Sequence, residues 1–323
     1  MRHETRAFTA LAACTLSLSA LLGEELLSVY ILFALTALVT IGISLLMGQA
    51  GQVSLGQGAF YACGAYTAGV LTTHGCPSLI ALLVSPFAAA LVAVVVGVPL
   101  LVLRGHHLAF ATLATHLIFL SFIGELTITG GDVGLQGIPR LRVMSFEFAS
   151  VRSYAYLSSI ALLATVVVAR NVLASRPGRA LRALSSGEVA ASASGIPVGR
   201  YKLAVFALSA AFAGLAGGIY AFYMGYLSPG SFPVLLSIEY VVMATVGGTG
   251  TISGAVVGTA TVLLLVHVLS RVATASGMPE TAPIILSYAA YGVFLIASVL
   301  FLPGGFVSLF TKSREARRSS KTE

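Results

Sequence analysis

Long apolar runs, most of them close to the length of a membrane-spanning helix, follow one another along most of this 323-residue chain. A helix needs about 20 apolar residues to cross the hydrocarbon core of a bilayer. Hydrocarbon offers no partners to backbone N–H and C=O groups, so such runs must satisfy those groups within the segment, as an α-helix does. The sequence therefore predicts an all-α, polytopic integral membrane protein with one transmembrane domain over residues 1–323.

We expect about ten transmembrane or re-entrant helices. In chain order, they occupy residues 7–23, 26–47, 52–73, 78–103, 108–128, 151–169, 203–225, 234–247, 252–270 and 283–302. The third and the eighth are rich in glycine or short. The first resembles a signal peptide as well as a membrane helix, and we expect it to be retained because its cleavage site is poor and another span follows at once.

Composition excludes the main alternatives to a membrane protein. Hydrophobic residues make up 57% of the chain and charged residues 9%, with a mean hydropathy of +0.97. The net charge of +7 is not spread over a foldable soluble surface, so nucleic-acid binding is excluded. The three cysteines have no metal-ligand or redox spacing, and we interpret Cys14, Cys63 and Cys76 as small buried hydrophobic residues.

Two basic segments set the predicted orientation. One covers about residues 170–202 and the other is the tail, about residues 303–323. Cytoplasmic loops of membrane proteins carry an excess of Lys and Arg, so both segments belong in the cytoplasm. The predicted spans between them are even in number, which puts both termini inside and the loop around Asp132 outside.

Two related glycine-rich motifs interrupt the apolar pattern. The first glycine motif is GQAGQVS, Gly48–Ser54, and the second glycine motif is GGTGTIS, Gly247–Ser253. They are either a parallel internal pseudo-repeat of the kind that transporters use or a chance similarity in a glycine-rich chain. Non-helical backbone at membrane depth is tolerated where it is buried in protein or lines a water-filled cavity. We favour a helix break or re-entrant segment facing a pathway over a plain cytoplasmic turn. The candidate pathway or hinge residues are Gly48, Gln49, Gly51, Gln52, Ser54, Gln57, Glu239, Gly247, Gly248 and Gly250.

Few ionisable residues fall inside the predicted spans, and each needs a partner, a cavity or a boundary. We expect Glu125 to reach the outer boundary, and His116 and His267 to be packing residues. For Glu239, a pathway role and structural hydrogen bonding remain open. None of the three lysines follows a glycine run of the phosphate-loop type, so the chain cannot hydrolyse ATP alone.

Small residues recur at every fourth position in two places, Ala210–Gly214–Gly218 and Gly250–Gly254–Gly258. Such a ridge lies on one helix face and lets a neighbouring helix approach closely. We therefore predict close helix packing at both ridges.

The cytoplasmic segment is amphipathic. We expect a turn at Pro177 and Gly178, a short helix through Glu188, and an end at Gly195 and Pro197. Its apolar residues are Leu181, Leu184, Val189 and Ile196. The segment is either a helix lying on anionic lipid headgroups or one that docks into a groove of a cytoplasmic partner.

Several motifs together resemble the permease subunits of branched-chain amino-acid ABC importers, the LivH/LivM family, and are closer to the M-type subunit. In chain order, they are GQAGQVSLGQGAFYACGAYTAGVL (residues 48–71), TGGDVGLQGIP (129–139), GRALRAL and EVAASASGI (178–196), RYKLAVFALSAAFAGLAGGIYAFYMGYLSP (200–229), SIEYVVMATVGGTGTISGAVVGT (237–259) and FLPGG (301–305). They cover most of the chain, so the resemblance is more specific than any single motif.

The resemblance implies an inner-membrane permease with both termini in the cytoplasm. Its partners are a second related permease, two cytoplasmic ATPase subunits and a periplasmic or lipid-anchored substrate-binding protein. The chain itself binds no cofactor, since ATP and Mg are used by the ATPases. EVAASASG is similar to the coupling loop of ABC importers. The residues expected to dock the ATPase are Arg179, Arg182, Glu188, Ala190, Ala191 and Gly195.

Two positions depart from the family's pattern. Val189 is an extra residue before the alanine pair, and Val133 stands where relatives commonly carry a polar or acidic residue. We expect transport of branched-chain or related amino acids by alternating access. The alternatives are a permease for urea, amides or another small polar solute, an ATP-independent secondary transporter or channel, and a non-transporting scaffold.

Overall fold

In the computed structural model of the chain, the described residues are 22–103, 105–143 and 146–275, with residues 15, 17–20, 289, 292, 293 and 296. The α-helices in the continuous part are α1 (Glu24–Ala50), α2 (Gln57–Thr73), α3 (Ser78–Leu100), α4 (His106–Glu125), α5 (Val151–Ala174), α6 (Arg176–Ser186), α7 (Glu188–Ala193), α8 (Val198–Met224), α9 (Val234–Gly247) and α10 (Ile252–Ala275). The strands β1 (Arg142–Val143) and β2 (Phe146–Glu147) form one antiparallel hairpin.

Over these described ranges, 7 helical segments are long and apolar enough to cross a membrane. They include α1, α3, α4, α5 and α8, and also the segments Pro229–Gly247 and Ile252–Leu269. The prediction of an all-α, polytopic membrane protein is confirmed. Eight of the ten expected spans correspond to single helices, with ends that agree to within about five residues. The first and the last fall mostly outside the continuous described ranges, so the count of ten stays a prediction.

Helix α8 lies at the centre of the bundle and packs against α1, α2 and α3. On α3, small residues repeat along the buried side, Ser85, Ala89, Ala93 and Gly97, whereas Phe87, Leu91 and Val95 on another side are strongly exposed. Large apolar side chains on the outside suit lipid, and small ones on the inside let the helix backbones approach. The predicted ridge of α8 packs in this way, since Gly214 and Gly218 face Ser85 and its neighbours on α3.

Helices α9 and α10 form a second closely packed pair. The backbones of Gly247, Gly254 and Gly258 lie so close that a methyl group on any of them would overlap the opposite helix or the connecting backbone. Gly254 and Gly258 of the second predicted ridge therefore serve close packing between two consecutive helices. The prediction was wrong at Gly250, which precedes α10 and has a left-handed backbone with φ of 81°.

Hydrogen bonds join the loop after α4 to the loop after α8. Leu135 and Leu227 exchange two backbone hydrogen bonds, of 2.7 and 3.0 Å. The Tyr226 hydroxyl donates to the Val133 carbonyl at 2.7 Å. In the nearby hairpin, hydrogen bonds from the exposed Arg142 guanidinium lower the pKa of Glu147 below its usual range. The loops predicted to share the outer side thus lie at one end of the bundle, and the two glycine motifs lie at the other.

Candidate functional site

The first glycine motif ends one helix and opens a stretch of non-helical backbone. Helix α1 stops at Ala50, and Gly51 takes a left-handed conformation, with φ of 63°, that an L side chain rarely adopts. Residues 51–56, which we call the first break, are not helical, and α2 begins only at Gln57. The sequence prediction of a continuous third span from residue 52 was therefore wrong at its start, whereas the prediction of a backbone break is confirmed.

The first break runs deep into the helix bundle. Its side chains alternate, with Gln52, Ser54 and Gly56 buried and Val53 38% exposed. The Leu55 N–H donates to the hydroxyl of Thr112 on α4 at 2.9 Å. Gly56, the last residue of the break, packs against Thr112, six residues into α4. Helix α2 therefore starts partway along α4 and inside the bundle.

The second glycine motif forms a second break, residues 248–251, between α9 and α10. It lies directly against the end of α1. The Gly250 N–H donates to both the carbonyl and the hydroxyl oxygen of Ser44, at 3.0 and 3.1 Å, and the Gln49 amide donates to the Gly250 carbonyl at 3.3 Å. A side chain on Gly48 would overlap the Gly250 backbone, and Gly250 has φ of 81°. The two motifs that resemble each other in sequence are therefore in contact, while their relation by an axis of symmetry stays a prediction.

A buried polar cluster holds the start of α2. The Gly58 N–H donates to the Ser237 hydroxyl oxygen at 2.9 Å, and that oxygen lies 3.1 Å from His116 Nδ1. Ser237 and His116 are both fully buried. We assign the Ser237 hydroxyl as the donor to His116 Nδ1, which leaves the ring proton on Nε2. His116 Nε2 then is a donor, and it makes no hydrogen bond, although the Phe232 backbone is close enough to interact with the ring.

Unpartnered buried polar atoms concentrate around the first break. In the described part of the chain, 8 buried side-chain N or O atoms lack a hydrogen-bond partner. Five of them belong to this region: Gln49 Oε1, Gln52 Oε1, both amide atoms of Gln57, and His116 Nε2. Each such atom costs about 1–3 kcal/mol, so natural proteins keep them few and often at functional positions. Burying five together in an apolar bundle is a feature that packing alone does not explain.

Helix α9 carries the remaining predicted pathway residues. Gly247 and Gly248 are buried at its end and form the start of the second break. Glu239 lies about two turns earlier, is half-buried, and makes no hydrogen bond or ion pair with the residues that the structure describes. It is two residues beyond Ser237 and so lies on a different side of α9 from the buried cluster.

The basic segment between α5 and α8 folds into two short helices. Helix α6 begins at Arg176, so the predicted turn at Pro177 and Gly178 was wrong: both residues lie in its first turn, where proline is well tolerated. Gly187 separates α6 from α7, so the expected helix through Glu188 is two helices. Leu181 and Leu184 are buried against the bundle.

The residues expected to dock an ATPase are not equivalent in the structure. Arg179 and Ala190 are exposed, whereas Ala191 is buried. Glu188 forms an ion pair with Lys202 on α8 at 2.8 Å. The exposed Arg182 donates to the Leu173 carbonyl at the end of α5, at 2.8 Å. Gly195, also exposed, has φ of 78° in the turn that follows α7.

Val189, the residue that departs from the family's pattern, is the most exposed large apolar side chain of this segment. Its exposed fraction is 84%, and the neighbouring Ala190 is also exposed. Val189 and Ala190 thus form a small apolar patch on the outer surface of α7, whereas Ala191 is buried.

Sequence reasoning missed the side chains that hold the first break in place. Ser44, Thr112 and Ser237 are ordinary residues of apolar helices in sequence, and their partners are 57 to 206 residues away. His116 was interpreted as a packing residue, whereas only its Nδ1 atom is satisfied. In the described ranges, no group of three or more His, Cys, Asp or Glu residues is placed to hold a metal ion.

Comparison with known proteins agrees with the architecture. The family model described as "Branched-chain amino acid transport system / permease component" matches residues 25–302. Two curated relatives are the high-affinity branched-chain amino acid transport system permease proteins LivM of Escherichia coli and Salmonella typhimurium. Each is 31% identical over 236 residues, which cover 65% of this chain and 56% of the relative's own length. No solved structure matches the chain significantly. The chain belongs to the family of branched-chain amino acid transport system permease components.

Proposed function

We propose that this chain is the permease subunit of an ATP-binding-cassette importer that moves branched-chain or related amino acids across the bacterial inner membrane. Its partners are a second related permease, two cytoplasmic ATPase subunits and a periplasmic or lipid-anchored binding protein. The ATPase subunits use ATP and Mg. Both termini of this chain lie in the cytoplasm. The family membership supports the permease role.

The observation that carries the proposal is the row of unpartnered polar groups along the first break. A transported solute must exchange its hydration for protein contacts, so a pathway needs buried groups that are free to bond with it. Gln52, Gln57 and His116 provide such groups inside an apolar bundle. Non-helical backbone at membrane depth is tolerated where it lines a pathway, and transporters build their sites at such broken helices.

The lining is neutral, which suits a zwitterion. Amide, hydroxyl and imidazole groups surround the first break, and the half-buried Glu239 is on another side of its helix. A fixed charge in low dielectric would hold an oppositely charged ion tightly and slow its release. Neutral donors and acceptors bind a small zwitterion weakly enough for it to leave again.

The cytoplasmic helices α6 and α7 provide the route for energy coupling. They join the ends of α5 and α8, and the buried Leu181 and Leu184 attach them to the bundle. A partner that binds the exposed face around Arg179 and Val189 would therefore move α5 and α8 when its own conformation changes. Helix α8 in turn packs on α1 and α2, which flank the first break.

The test is solute uptake by proteoliposomes that contain the complete importer. We expect leucine uptake that requires ATP, the ATPases and the loaded binding protein. Uptake of urea or an amide instead of leucine would change the solute but not the mechanism. ATP-independent uptake by this chain alone, reduced by Glu239→Gln, would favour a secondary transporter, and no flux of any solute in any reconstitution would favour a scaffold.

A further inference from the structure

We infer that Gln57 and His116, at the first turn of α2, form the subsite for the carboxylate of the transported amino acid. This inference rests on the proposed transport function and adds to it the chemical group that the pathway recognises. Two independent features of the structure meet at this position: the start of a 17-residue helix and two fully buried side chains with unpartnered atoms.

The start of α2 favours an anion. The free N–H groups and the dipole of a helix make its N-terminus a site of positive potential, and carboxylates bind there. Helix α2 begins beside the middle of α4, since the first helical turn meets His116, ten residues into α4. The positive end of the helix is therefore inside the bundle, where few waters screen it.

His116 supplies a donor aimed at this helix end. Its Nε2 atom lies 3.0 Å from the position that a Cβ on Gly58 would occupy, so the ring edge faces the first turn of α2. We assign the ring proton to Nε2, with the Ser237 hydroxyl accepting from Gly58 and donating to Nδ1. The absence of a side chain at Gly58 is what lets the ring come so near. His116 can therefore donate to a carboxylate at this end of the helix without itself carrying a charge.

Gln57 supplies the complementary groups. It is fully buried, and neither its amide nitrogen nor its amide oxygen has a partner. The nitrogen can donate to a carboxylate, and the oxygen can accept from the ammonium group on the neighbouring carbon. An α-amino acid presents these two groups side by side, so one amide matches it, whereas an amine offers the donors no acceptor and an amino alcohol offers only a neutral one.

The subsite can be tested by comparing two solutes that differ only in the carboxylate. The permease–ATPase complex, without the substrate-binding protein, is titrated in lipid nanodiscs with leucine and with leucinol, and binding is followed by saturation-transfer NMR. We expect the native complex to prefer leucine about tenfold or more, because each bond to a charged group contributes at least that factor. We expect Gln57→Met to bring the preference close to one, and Gln57→Glu to reverse it at neutral pH by repelling the carboxylate.

Tyr66→Phe is the matched control, since Tyr66 is on the same helix and its buried hydroxyl also lacks a partner. We expect this variant to keep the native preference. If Gln57→Met fails to assemble, Gln57→Asn withdraws the amide by one methylene and replaces it in the comparison.

A native complex that binds leucine no better than leucinol overturns the subsite, and so does a Gln57→Met complex with the native preference. Either result leaves the proposed function standing when ATP-driven leucine uptake is present. Absence of that uptake contradicts the proposed function, while the solute comparison still decides the subsite.

Discussion

The contact between the two glycine motifs makes Gly48→Ala the most informative single substitution. A methyl group at residue 48 would overlap the Gly250 backbone, so the second break must move away from α1. Forcing extra volume into a packed interior costs about 1–3 kcal/mol. The displaced backbone also weakens the bonds from Gly250 to Ser44 and from Gln49 to Gly250, at about 1 kcal/mol each. The expected loss in the free energy of unfolding is about 3–5 kcal/mol.

Gly51→Ala is the control. Residue 51 lies three residues away, and its glycine is required by the backbone conformation instead of by close contact. No atom lies within 4 Å of a Cβ at residue 51, and only its φ of 63° opposes a side chain. The expected cost is about 1–2 kcal/mol. Both variants are compared with the native chain by denaturant-induced unfolding in mixed micelles, together with uptake by the assembled importer.

We expect Gly48→Ala to lose clearly more stability than Gly51→Ala. Equal losses for the two variants would show that the motifs do not touch as described. A Gly48→Ala chain of native stability would refute the close approach of the two breaks outright.

The other predictions concern the start of α2 and the cytoplasmic helices. Ser237→Ala leaves the buried Gly58 N–H without its acceptor and should lower the free energy of unfolding by about 1–3 kcal/mol. Ser209→Ala is the control, because it removes a hydroxyl that has no partner and should be nearly neutral. Thermal unfolding of both variants measures the difference. Val189→Glu puts a charge on the exposed face of α7 and should lower the amount of ATPase that co-purifies. Val133→Glu is the control, because Val133 is 69% exposed at the opposite end of the bundle and should not affect co-purification. Equal recovery of the ATPase with both variants would place its docking surface elsewhere.

The sequence was sufficient for features that depend on local pattern. Apolar runs of sufficient length can only become helices in a bilayer, so most spans could be located to within a few residues. The ridge of α8 and the pair Gly254 and Gly258 of α10 were predicted because a four-residue repeat places its members on one helix face, whereas Gly250 lies in the second break. The polar glycine motif at residues 48–54 also indicated a break, because neither glycine nor glutamine stabilises a helix in hydrocarbon.

Features that depend on distant contacts could not be predicted. The start of α2 was placed five residues too early because the non-helical backbone of the first break is held by Thr112, far along the chain. His116 gave no signal in sequence that separates a packing histidine from one with a free nitrogen. The basic segment divides at Gly187, whose N–H bonds to the Ala183 and Leu184 carbonyls and ends α6, and the prediction of one helix through Glu188 did not include this break.

The central claim is that the first break forms a wall of the transport pathway, and the accessibility of Gln52 tests it most directly. Gln52→Cys is introduced after Cys14, Cys63 and Cys76 have been replaced by serine or alanine, and the importer is treated with a small, membrane-impermeant thiol reagent. Ala89→Cys, between α3 and α8, is the buried control. We predict that residue 52 reacts during ATP turnover, that excess leucine slows the reaction, and that residue 89 stays unlabelled. A residue 52 that stays as unreactive as residue 89 in resting and cycling importers would contradict the account.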